Sequence, residues 1–496
     1  MTFSLKQFSL LAYVWLALPV LLFLLNWCRP LVAIPLSIAV LASIFFAMRA
    51  TGERTLTVDK KKLLAIGAIL FFWVLLSGVG GLAWQNRWDH AFRNALFTDL
   101  VNHSWPVQSA DATDATGTAA VRSLVYYFGF WLPPALLAKV TGSLSLGFVA
   151  QFAWAFTGVA TAFGLLFFLV GRATLRAVFI FILFDGWDVF IYAILKFLDF
   201  AIVSEILPPA MVLEKSLQVF ENLSNTSSLF YIYNQVVPFW VAFALLLNQR
   251  AKTALFFICA LLLMFAPFPA IGMLPAAFYL ALRGKTTGAA SQTIPSRILA
   301  NVSIPNITAC GVAAVLGLFY LSNNTAAGRS ILPLTGENFL KFALFVVFEF
   351  LVYLVLCKQA VKGENQGKML AVLALPCAVL LFIQIGPLYD FAWRVVLPLA
   401  FFVMLLVIRT ANELDAASIR RPRGALLVLV LCVGAVAPLL EMATSLRKTR
   451  ASYFVRHGEP LRAGGIGSCF GDNPSCAYYV SQGTGGNLFD TYLRRQ

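Results

Sequence analysis

The sequence predicts an all-α fold: a polytopic transmembrane helical bundle of about 13 helices, with interfacial helices in a long outer loop. Of its 496 residues, 60% are hydrophobic and only 12% are charged, whereas soluble domains carry roughly 25% charged residues. The mean hydropathy is +0.82. Apolar runs of about 20 residues, the length that crosses a bilayer as a helix, recur along the chain.

The candidate membrane helices are separated by short polar or basic connections. The first apolar run, "FSLLAYVWLALPVLLFLLNW", is followed directly by a second one, so we interpret it as a retained helix rather than a cleaved signal peptide. The candidate segments are 8–27, 30–48, 63–84, 145–170, 177–195, 233–248, 253–267, 269–283, 307–321, 340–357, 369–387, 391–409 and 424–441.

The charge of the chain bears on its orientation. Lys and Arg outnumber Asp and Glu by 37 to 22, a net charge of +15. Basic residues beside hydrophobic spans usually set topology, so we expect no nucleic-acid partner. If the stretch 124–142 lies flat in the interface, all basic connections fall on one side. This predicts a multi-pass membrane protein with a cytoplasmic N-terminus and an outer-face C-terminus. A eukaryotic reticulum membrane would give the same topology, but the size of the chain favours a bacterial inner membrane with a periplasmic C-terminus.

The same assignment of connections to alternate sides of the membrane divides the chain into three parts. Residues 1–62 form two N-terminal helices and a basic cytoplasmic loop, and residues 63–441 form the transmembrane core. Residues 442–496 are predicted to be an outer-face tail. The predicted outer-face stretches are 85–144, 196–232, 322–340 and the tail.

The outer stretch "RWDHAFRNALFTDLVNHSWPV" is unusually polar for a connection between membrane helices. One interpretation is an amphipathic surface helix with solvated charges. The alternative is a functional loop, because long ordered loops are usually functional. Asp89 follows the third apolar segment closely, and Asp99 lies ten residues later, near three helical turns. The two acids are therefore predicted to share a helix side.

Further outer-edge residues are candidates for the same site. Asp185 and Asp188 interrupt an apolar span, where ionisable groups usually face a cavity or partner; the alternative is a helix that ends early. Asp390 and Arg394 are four residues apart and either pair with each other or leave Arg394 to bind a phosphate. Gln235 lies in an aromatic segment that fits interfacial anchoring or recognition.

The eight cysteines fall into two groups. Six lie in or beside apolar spans, where a small apolar side chain is the ordinary explanation. Cys469 and Cys476 instead bracket "FGDNPS" in the outer tail. The outer compartment is oxidising, so we expect them to form a disulfide rather than a metal site.

No phosphate-binding loop, dinucleotide fingerprint, zinc-protease motif or serine-hydrolase elbow is present in the sequence. The order of "RWDHAFRNALFTDL", "YYFGFWLPPALLAKVTG" and the following long helix instead resembles the GT-C glycosyltransferases, integral membrane enzymes that take sugar from a polyprenyl-phosphate carrier. The resemblance covers residues 63–410 as architecture. The sequence departs from the GT-C pattern in two ways. Two extra helices precede the helix that leads into the catalytic loop, and Asp89-His90 replaces an acidic pair that is common in some of the families.

The resemblance implies a site and its partners. Asp89 would be the general base that takes a proton from the acceptor hydroxyl, and Arg394, Arg87 or Arg93 would hold the departing phosphate. Asp99 and His103 would support the acceptor. The implied partners are a polyprenyl-phosphate-linked sugar, a glycan or lipid acceptor, and membrane lipids. No cofactor is certain, and a divalent cation is possible.

Two other classes of function fit the same composition. A lipid or oligosaccharide flippase or secondary transporter would show an internal repeat and helices broken at the midplane. The sequence has no convincing repeat, although "FAPFPAIGMLP" fits a helix break. An O-antigen-type polymerase or ligase would rely on outer arginines and histidines rather than on an acid directly after a span.

Overall fold

The computed structural model describes residues 1–86, 89–113, 119–197, 209–249, 252–283, 301–323, 329–385, 389–455, 468–470, 479–482 and 487–495. Within these ranges, nine helices are long and apolar enough to cross a membrane. The chain is therefore a multi-pass membrane protein built as a helical bundle. The nine spans are Leu5–Trp27, Pro30–Ala50, Leu144–Val170, Leu175–Phe197, Asn225–Asn248, Ile304–Leu321, Gly336–Leu356, Asp390–Glu413 and Pro422–Ala451.

Shorter helices complete the bundle and its loops. Three of them, Lys252–Leu263, Pro267–Leu282 and Asn365–Leu380, are apolar but have fewer than 18 residues. With these and Lys60–Leu76, the apolar helices of the described residues number 13, but that all of them cross the membrane remains a prediction. The remaining helices are Asp89–Asn102, Leu132–Thr141, Ala210–Glu214, Lys358–Val361 and Ala416–Arg420.

Several of the spans are interrupted. The span from Leu175 consists of two helices, Leu175–Leu183 and Asp188–Phe197, with four non-helical residues between them. The span from Gly336 contains a π-helical turn at Val346–Leu351. A further interruption follows the helix Pro422–Gly434. These breaks place backbone polar groups and buried acids inside the bundle instead of at its ends.

Local chemistry explains where many helices begin and end. The side chains of Ser4, Asp59 and Thr174 accept hydrogen bonds from first-turn amides of the helices that follow them. Gly142 and Gly171 end their helices with φ of +65° and +83°, a left-handed conformation that glycine adopts without a steric penalty.

Among the described residues, seven short strands form three small antiparallel sheets. Thr2–Ser4 pairs with Thr55–Thr57, and Arg329–Ile331 pairs with Ile383–Ile385. The third sheet joins the first long loop to the C-terminal tail, because its middle strand pairs on both sides. Its strands are Gln108–Thr113, Ala119–Leu124 and Val480–Gln482.

The loops assemble into two groups, as predicted when successive connections lie on alternate sides of the membrane. On one side, Ser481 donates to the carbonyl of Ser322, and Asn323 donates to the carbonyl of Val125. The tail also contacts the connection between the first two helices, because the backbone amide of Arg29 donates to the carbonyl of Leu493. The first loop, the loop after Leu321 and the tail therefore share one face.

The second group holds the basic connections. Arg54 Nη2 lies 2.5 Å from Oδ1 of Asn248, and Thr174 donates to Oδ1 of Asn412 across 2.9 Å. Arg172 also donates to the carbonyl of Asn412. With the hydrogen bond from Arg54 to the carbonyl of Phe168, these contacts gather four connections at one end of the bundle, those after Ala50, Val170, Asn248 and Glu413. That this end is cytoplasmic stays a prediction from their charge.

Five predicted segments differ clearly from the structure. Two of them, 369–387 and 424–441, correspond to Glu364–Leu380 and to Pro422–Gly434 followed by Val436–Val455. The third helix ends at Leu76 rather than near residue 84, because three glycines with positive φ, at 78, 80 and 81, turn the chain back. The segment predicted at 177–195 breaks after Leu183. The helix predicted at 233–248 begins earlier, at Asn225, and contains a non-helical residue, Ile232.

The two helices of the first loop have different environments. Leu132–Thr141 has ten residues, too few to cross a bilayer, and exposes Leu137 and Val140, an apolar edge that suits an interface. Asp89–Asn102 is buried along almost its whole length. The interpretation of this stretch as a surface helix with solvated charges is therefore wrong, because other elements cover it.

Candidate active site

Asp89 and Arg93 occupy the first turns of the buried loop helix. Asn86 begins this helix, because its side-chain oxygen accepts hydrogen bonds from the amides of Asp89 and His90. Nη1 of Arg93 lies 3.3 Å from Oδ1 of Asp89, and the Arg93 side chain is almost fully buried whereas that of Asp89 is 36% exposed. Asp89 is thus the accessible member of the pair.

Asp390 and Arg394 repeat this arrangement on another helix. Arg394 Nη2 donates to Oδ1 of Asp390 across 3.3 Å, again with a buried arginine and a partly exposed acid. The predicted salt bridge within the helix is therefore present. It uses one of the guanidinium nitrogens, so pairing with Asp390 and contact with a further anion are compatible.

Tyrosines from two distant parts of the chain lie between these two pairs. The ring centres of Tyr126 and Tyr127 are 3.8 Å apart, and those of Tyr126 and Tyr479 are 4.2 Å apart. Gln235 donates to the Tyr127 hydroxyl across 3.4 Å. We refer to the two Asp–Arg pairs with Tyr126, Tyr127, Tyr479 and Gln235 as the arginine–tyrosine site.

The charges of both arginines reach the Tyr127 hydroxyl. Burial raises the pKa of the Tyr127 hydroxyl to about 12; the charge of Asp390 also raises this pKa, while Arg394 and Arg93 lower it. Both guanidinium groups therefore act on one hydroxyl. The strand pairing of Val480–Gln482 with the first loop holds Tyr479 beside them.

Three buried polar atoms near this site have no hydrogen-bond partner among the described residues. They are Asn234 Nδ2, Gln235 Oε1 and Arg394 Nε. Asn234 is held in place because its Oδ1 accepts from Arg93 Nε across 3.2 Å. Buried donors without a partner are costly. Two of the three atoms are N–H donors, and with the positive charge of the two arginines they match an anionic ligand.

His90 is a structural residue of this region. Its Nε2 lies 3.1 Å from the carbonyl oxygen of Ser77, which ties the loop helix to the end of the preceding membrane helix. Burial, together with the charge of Arg93, lowers the pKa of His90 to about 4. The imidazole is therefore neutral at pH 7, and His90 does not act as a second charged group beside Asp89.

Asp99 and His103 lie in a different environment. Asp99 accepts hydrogen bonds from Ser468 Oγ at 2.7 Å and from the amide of Cys469 at 2.6 Å. His103 Nε2 lies 3.8 Å from Asp99. Asp99 is predicted to share a helix side with Asp89. The two acids nevertheless do not reach the same ligand, because both carboxylate oxygens of Asp99 accept hydrogen bonds from the C-terminal tail. Cys469 is disulfide-bonded, and Cys476 lies outside the described residues.

Asp185 and Asp188 belong to a second buried group. Their carboxylates and that of Glu349 offer ligand atoms that all lie within 4.8 Å of one another. Asn222 Nδ2 donates to Glu349 Oε2 across 3.0 Å. We call Asp185, Asp188 and Glu349 the acid cluster. It is separate from the arginine–tyrosine site, so the structure does not place Asp185 and Asp188 against Arg93 or Arg394.

The segment that follows Ala210–Glu214 lies between the two groups. Lys215 Nζ is 3.8 Å from Glu221 and 4.8 Å from the ring centre of Trp393, the neighbour of Arg394. Burial raises the pKa of Glu221 to about 8, although Lys215 and Arg394 lower it. This segment therefore places a buried, protonatable acid beside Arg394.

Sequence reasoning missed several residues of both groups. By sequence, the interfacial stretch contains Tyr126 and Tyr127, and the tail contains Tyr479. Their contact depends on strand pairing that no local pattern predicts. Glu349 was overlooked although a signal existed, because an ionisable residue within the apolar run "VVFEFLVYL" is a candidate for function. Arg87, the third candidate for phosphate binding, lies outside the described residues.

The resemblance to the GT-C glycosyltransferases also implies a hydrophobic groove between helices for the prenyl chain. Two apolar cavities lie toward the other end of the bundle: one is lined by Phe3, Leu56 and Phe168, and the other by Phe256 and Cys310. Neither one includes a residue of the arginine–tyrosine site.

Comparisons with known proteins add no assignment: no family model matches the chain, and no curated protein or solved structure was found to match it.

Proposed function

We propose that the protein is a membrane glycosyltransferase that moves sugar from a polyprenyl-phosphate donor to a glycan or lipid acceptor on the periplasmic face. The observation that carries the proposal is that two buried arginines, Arg93 and Arg394, both lie near enough to Tyr127 for their charges to lower the pKa of its hydroxyl. A guanidinium offers parallel donors that match phosphate oxygens. Two such groups, with the unpaired donor Asn234 Nδ2 nearby, support binding of a phosphate rather than of a neutral sugar alone.

Asp89 remains the proposed general base. It is the accessible acid of its pair, and it lies on the helix that carries Arg93. A sugar phosphate brings its own leaving group, so the chain must supply a proton acceptor and positive charge. In this proposal Asp89 removes the proton of the acceptor hydroxyl, and the acceptor oxygen bonds to the anomeric carbon of the sugar as the sugar–phosphate bond breaks. Arg93 and Arg394 stabilise the polyprenyl phosphate that leaves.

Binding of the carrier tests the proposal directly. The full-length protein is reconstituted in nanodiscs, and its binding of a polyprenyl phosphate without sugar is measured by native mass spectrometry. We expect Arg93→Ala and Arg394→Ala each to weaken binding about 10-fold or more, since a hydrogen bond to a charged group contributes about 1.5–3 kcal/mol. Arg329→Ala is the control, because Arg329 is exposed on the same face.

The transfer reaction completes the test. With a polyprenyl-phosphate-linked sugar and a matching acceptor, we expect acceptor-dependent release of the polyprenyl phosphate. Carrier binding that is equal in wild type, Arg93→Ala and Arg394→Ala would show that the arginines do not bind phosphate. The proposed function would then lose its principal support.

A flippase or secondary transporter is the second candidate, and one observation favours it. The interruption after Leu183 and the π-helical turn around Glu349 lie within membrane spans, as expected for discontinuous transporter helices. The two candidates differ in their product. A flippase moves the labelled lipid across a proteoliposome membrane with the sugar still attached, whereas a glycosyltransferase separates sugar from carrier.

A further inference from the structure

We propose that Asp185, Asp188 and Glu349, with Asn222, bind one hard divalent cation inside the bundle. This inference does not depend on the proposed glycosyl transfer, and it involves neither Asp89 nor the two arginines. It rests on four observations: the mutual distances of the ligand atoms, the lack of counter-charge, the unpaired oxygens, and the close packing that two glycines permit.

The distances fit a single ion. One oxygen from each of the three carboxylates lies within 4.8 Å of the others. Oxygen ligands bind Ca²⁺ at about 2.3–2.6 Å, and Mn²⁺ and Mg²⁺ somewhat closer, so ligands on opposite sides of one ion are about 4–5 Å apart. The carboxylates therefore do not have to move far to share a cation.

The cluster has no positive partner among the described residues. No ion pair of the described chain joins any of the three acids to Lys, Arg or His. Asp185 is 1% exposed, Glu349 2% and Asp188 6%. Three adjacent buried carboxylates cannot all ionise without compensation. Either protons shared between them or a bound cation must provide it.

The unpaired oxygens favour the cation. The carboxyl groups of Asp185 and Asp188 are within hydrogen-bond reach of each other, as are those of Asp188 and Glu349. Apart from these contacts, both oxygens of Asp185 and Oδ2 of Asp188 receive no hydrogen bond from an N–H or hydroxyl donor of the described residues. The same holds for Asn222 Oδ1, although Asn222 is 4% exposed and its Nδ2 is fixed against Glu349. Protons shared among the carboxyl groups leave this amide oxygen unsatisfied. A cation is satisfied by carboxylate and carboxamide oxygens together.

Two glycines allow the elements to approach closely enough. A Cβ at Gly186 would lie 1.8 Å from Glu349 Oε1, so only glycine lets this carboxylate rest on the chain between Asp185 and Asp188. A Cβ at Gly434 would lie 2.7 Å from both the Asp185 carbonyl oxygen and the Tyr353 hydroxyl. Tyr353 donates to that carbonyl across 2.6 Å and fixes the break in the helix.

The ligand set also indicates the type of cation. Three carboxylates and an amide in a buried site suit an ion that accepts several protein oxygens with flexible geometry, such as Ca²⁺ or Mn²⁺. Mg²⁺ releases its waters reluctantly and is usually held by one or two carboxylates. We therefore expect Mn²⁺ and Ca²⁺ to compete for the site and Mg²⁺ to bind more weakly.

Manganese binding tests the proposal. Purified full-length protein in detergent is freed of metal with a chelator and titrated with Mn²⁺, with free Mn²⁺ followed by electron paramagnetic resonance. We expect one Mn²⁺ per chain in wild type, loss of this binding in Asp185→Asn and Glu349→Gln, and affinity about 10-fold to 100-fold lower in Asn222→Leu. Glu441→Gln is the matched control, because Glu441 is a buried acid outside the cluster that accepts from the Tyr231 hydroxyl.

A second measurement, of thermal unfolding, distinguishes loss of metal binding from failure of a variant to fold. Mn²⁺ or Ca²⁺ should raise the thermal unfolding temperature of wild type and of Glu441→Gln, and a chelator should reverse the shift. Gly186→Ala should lose this response, because the new methyl group displaces the Glu349 carboxylate. No Mn²⁺ binding and no thermal shift in wild type, or equal responses in wild type and Glu349→Gln, would overturn the site and leave shared protons as the explanation.

Discussion

Asn222 donates its side-chain amide to a carboxylate oxygen of Glu349 across 3.0 Å, although 127 positions separate the two residues in the chain. One residue earlier, Glu221 lies near Lys215 and interacts with Arg394. The segment that contains both residues therefore connects the acid cluster to the arginine–tyrosine site. A ligand that moves this segment would affect both sites.

The pH dependence of stability should depend on Glu221. Burial raises its pKa from 4.5 to about 8 in the folded protein. Between these values the folded state retains a proton that the unfolded chain has released, so the free energy of unfolding falls as pH rises through this window. We expect Glu221→Gln to flatten the fall of the thermal unfolding temperature between pH 5 and about 8. Identical pH profiles for wild type and variant would contradict the buried, protonated state.

The roles of the two acids that pair with arginine can be separated by substitution. Asp89→Asn keeps the shape of the side chain but removes its basicity, so we expect turnover to fall about 10²-fold to 10⁴-fold while carrier binding stays near normal. Asp390→Asn is the matched variant, since Asp390 pairs with Arg394 in the same geometry. A larger loss of turnover in Asp390→Asn would identify Asp390 as the base. A wild-type rate in Asp89→Asn would exclude the proposed mechanism.

The attachment of the tail to the first loop should depend on Asp99. Its carboxylate accepts from both Ser468 and Cys469, and Asn can accept at only one of its two positions. We expect Asp99→Asn to weaken docking of the tail by about 2 kcal/mol, to increase proteolytic cleavage after residue 455, and to reduce turnover less than Asp89→Asn. Glu337→Gln, an exposed substitution on the same face, serves as control. Unchanged cleavage would show that other contacts hold the tail.

The orientation of the bundle can be tested by labelling. Leu334 is 82% exposed in the loop after the Ile304–Leu321 helix, and Ala417 is exposed in a basic connection. In a background with Cys310 and Cys432 replaced by serine, Leu334→Cys should react with an impermeant thiol reagent in intact cells. Ala417→Cys should react only after permeabilisation. The reverse pattern would move every proposed site to the cytoplasmic face.

The sequence by itself determined the membrane class, most of the helices and the grouping of loops at two ends. These properties depend on runs of apolar residues and on basic connections, which are local and periodic. The spacing of Asp390 with Arg394 predicts their salt bridge, because residues four apart meet on one helix side. The same spacing holds for Asp89 and Arg93, although their pair was not predicted. A role for Gln235 in substrate binding stays a prediction, and nothing local connects Gln235 to Tyr127.

Only the tertiary structure decided which of these residues share a site. Asp99 and Asp89 lie on one helix, but the tail captures Asp99 by hydrogen bonds from a segment 369 positions away. Glu349 joins Asp185 because Gly186 has no side chain to keep the two elements apart. Such pairings depend on shape and hydrogen bonding between distant segments. A periodic apolar pattern specifies that a helix is buried, and the packing of the whole bundle specifies what that helix faces.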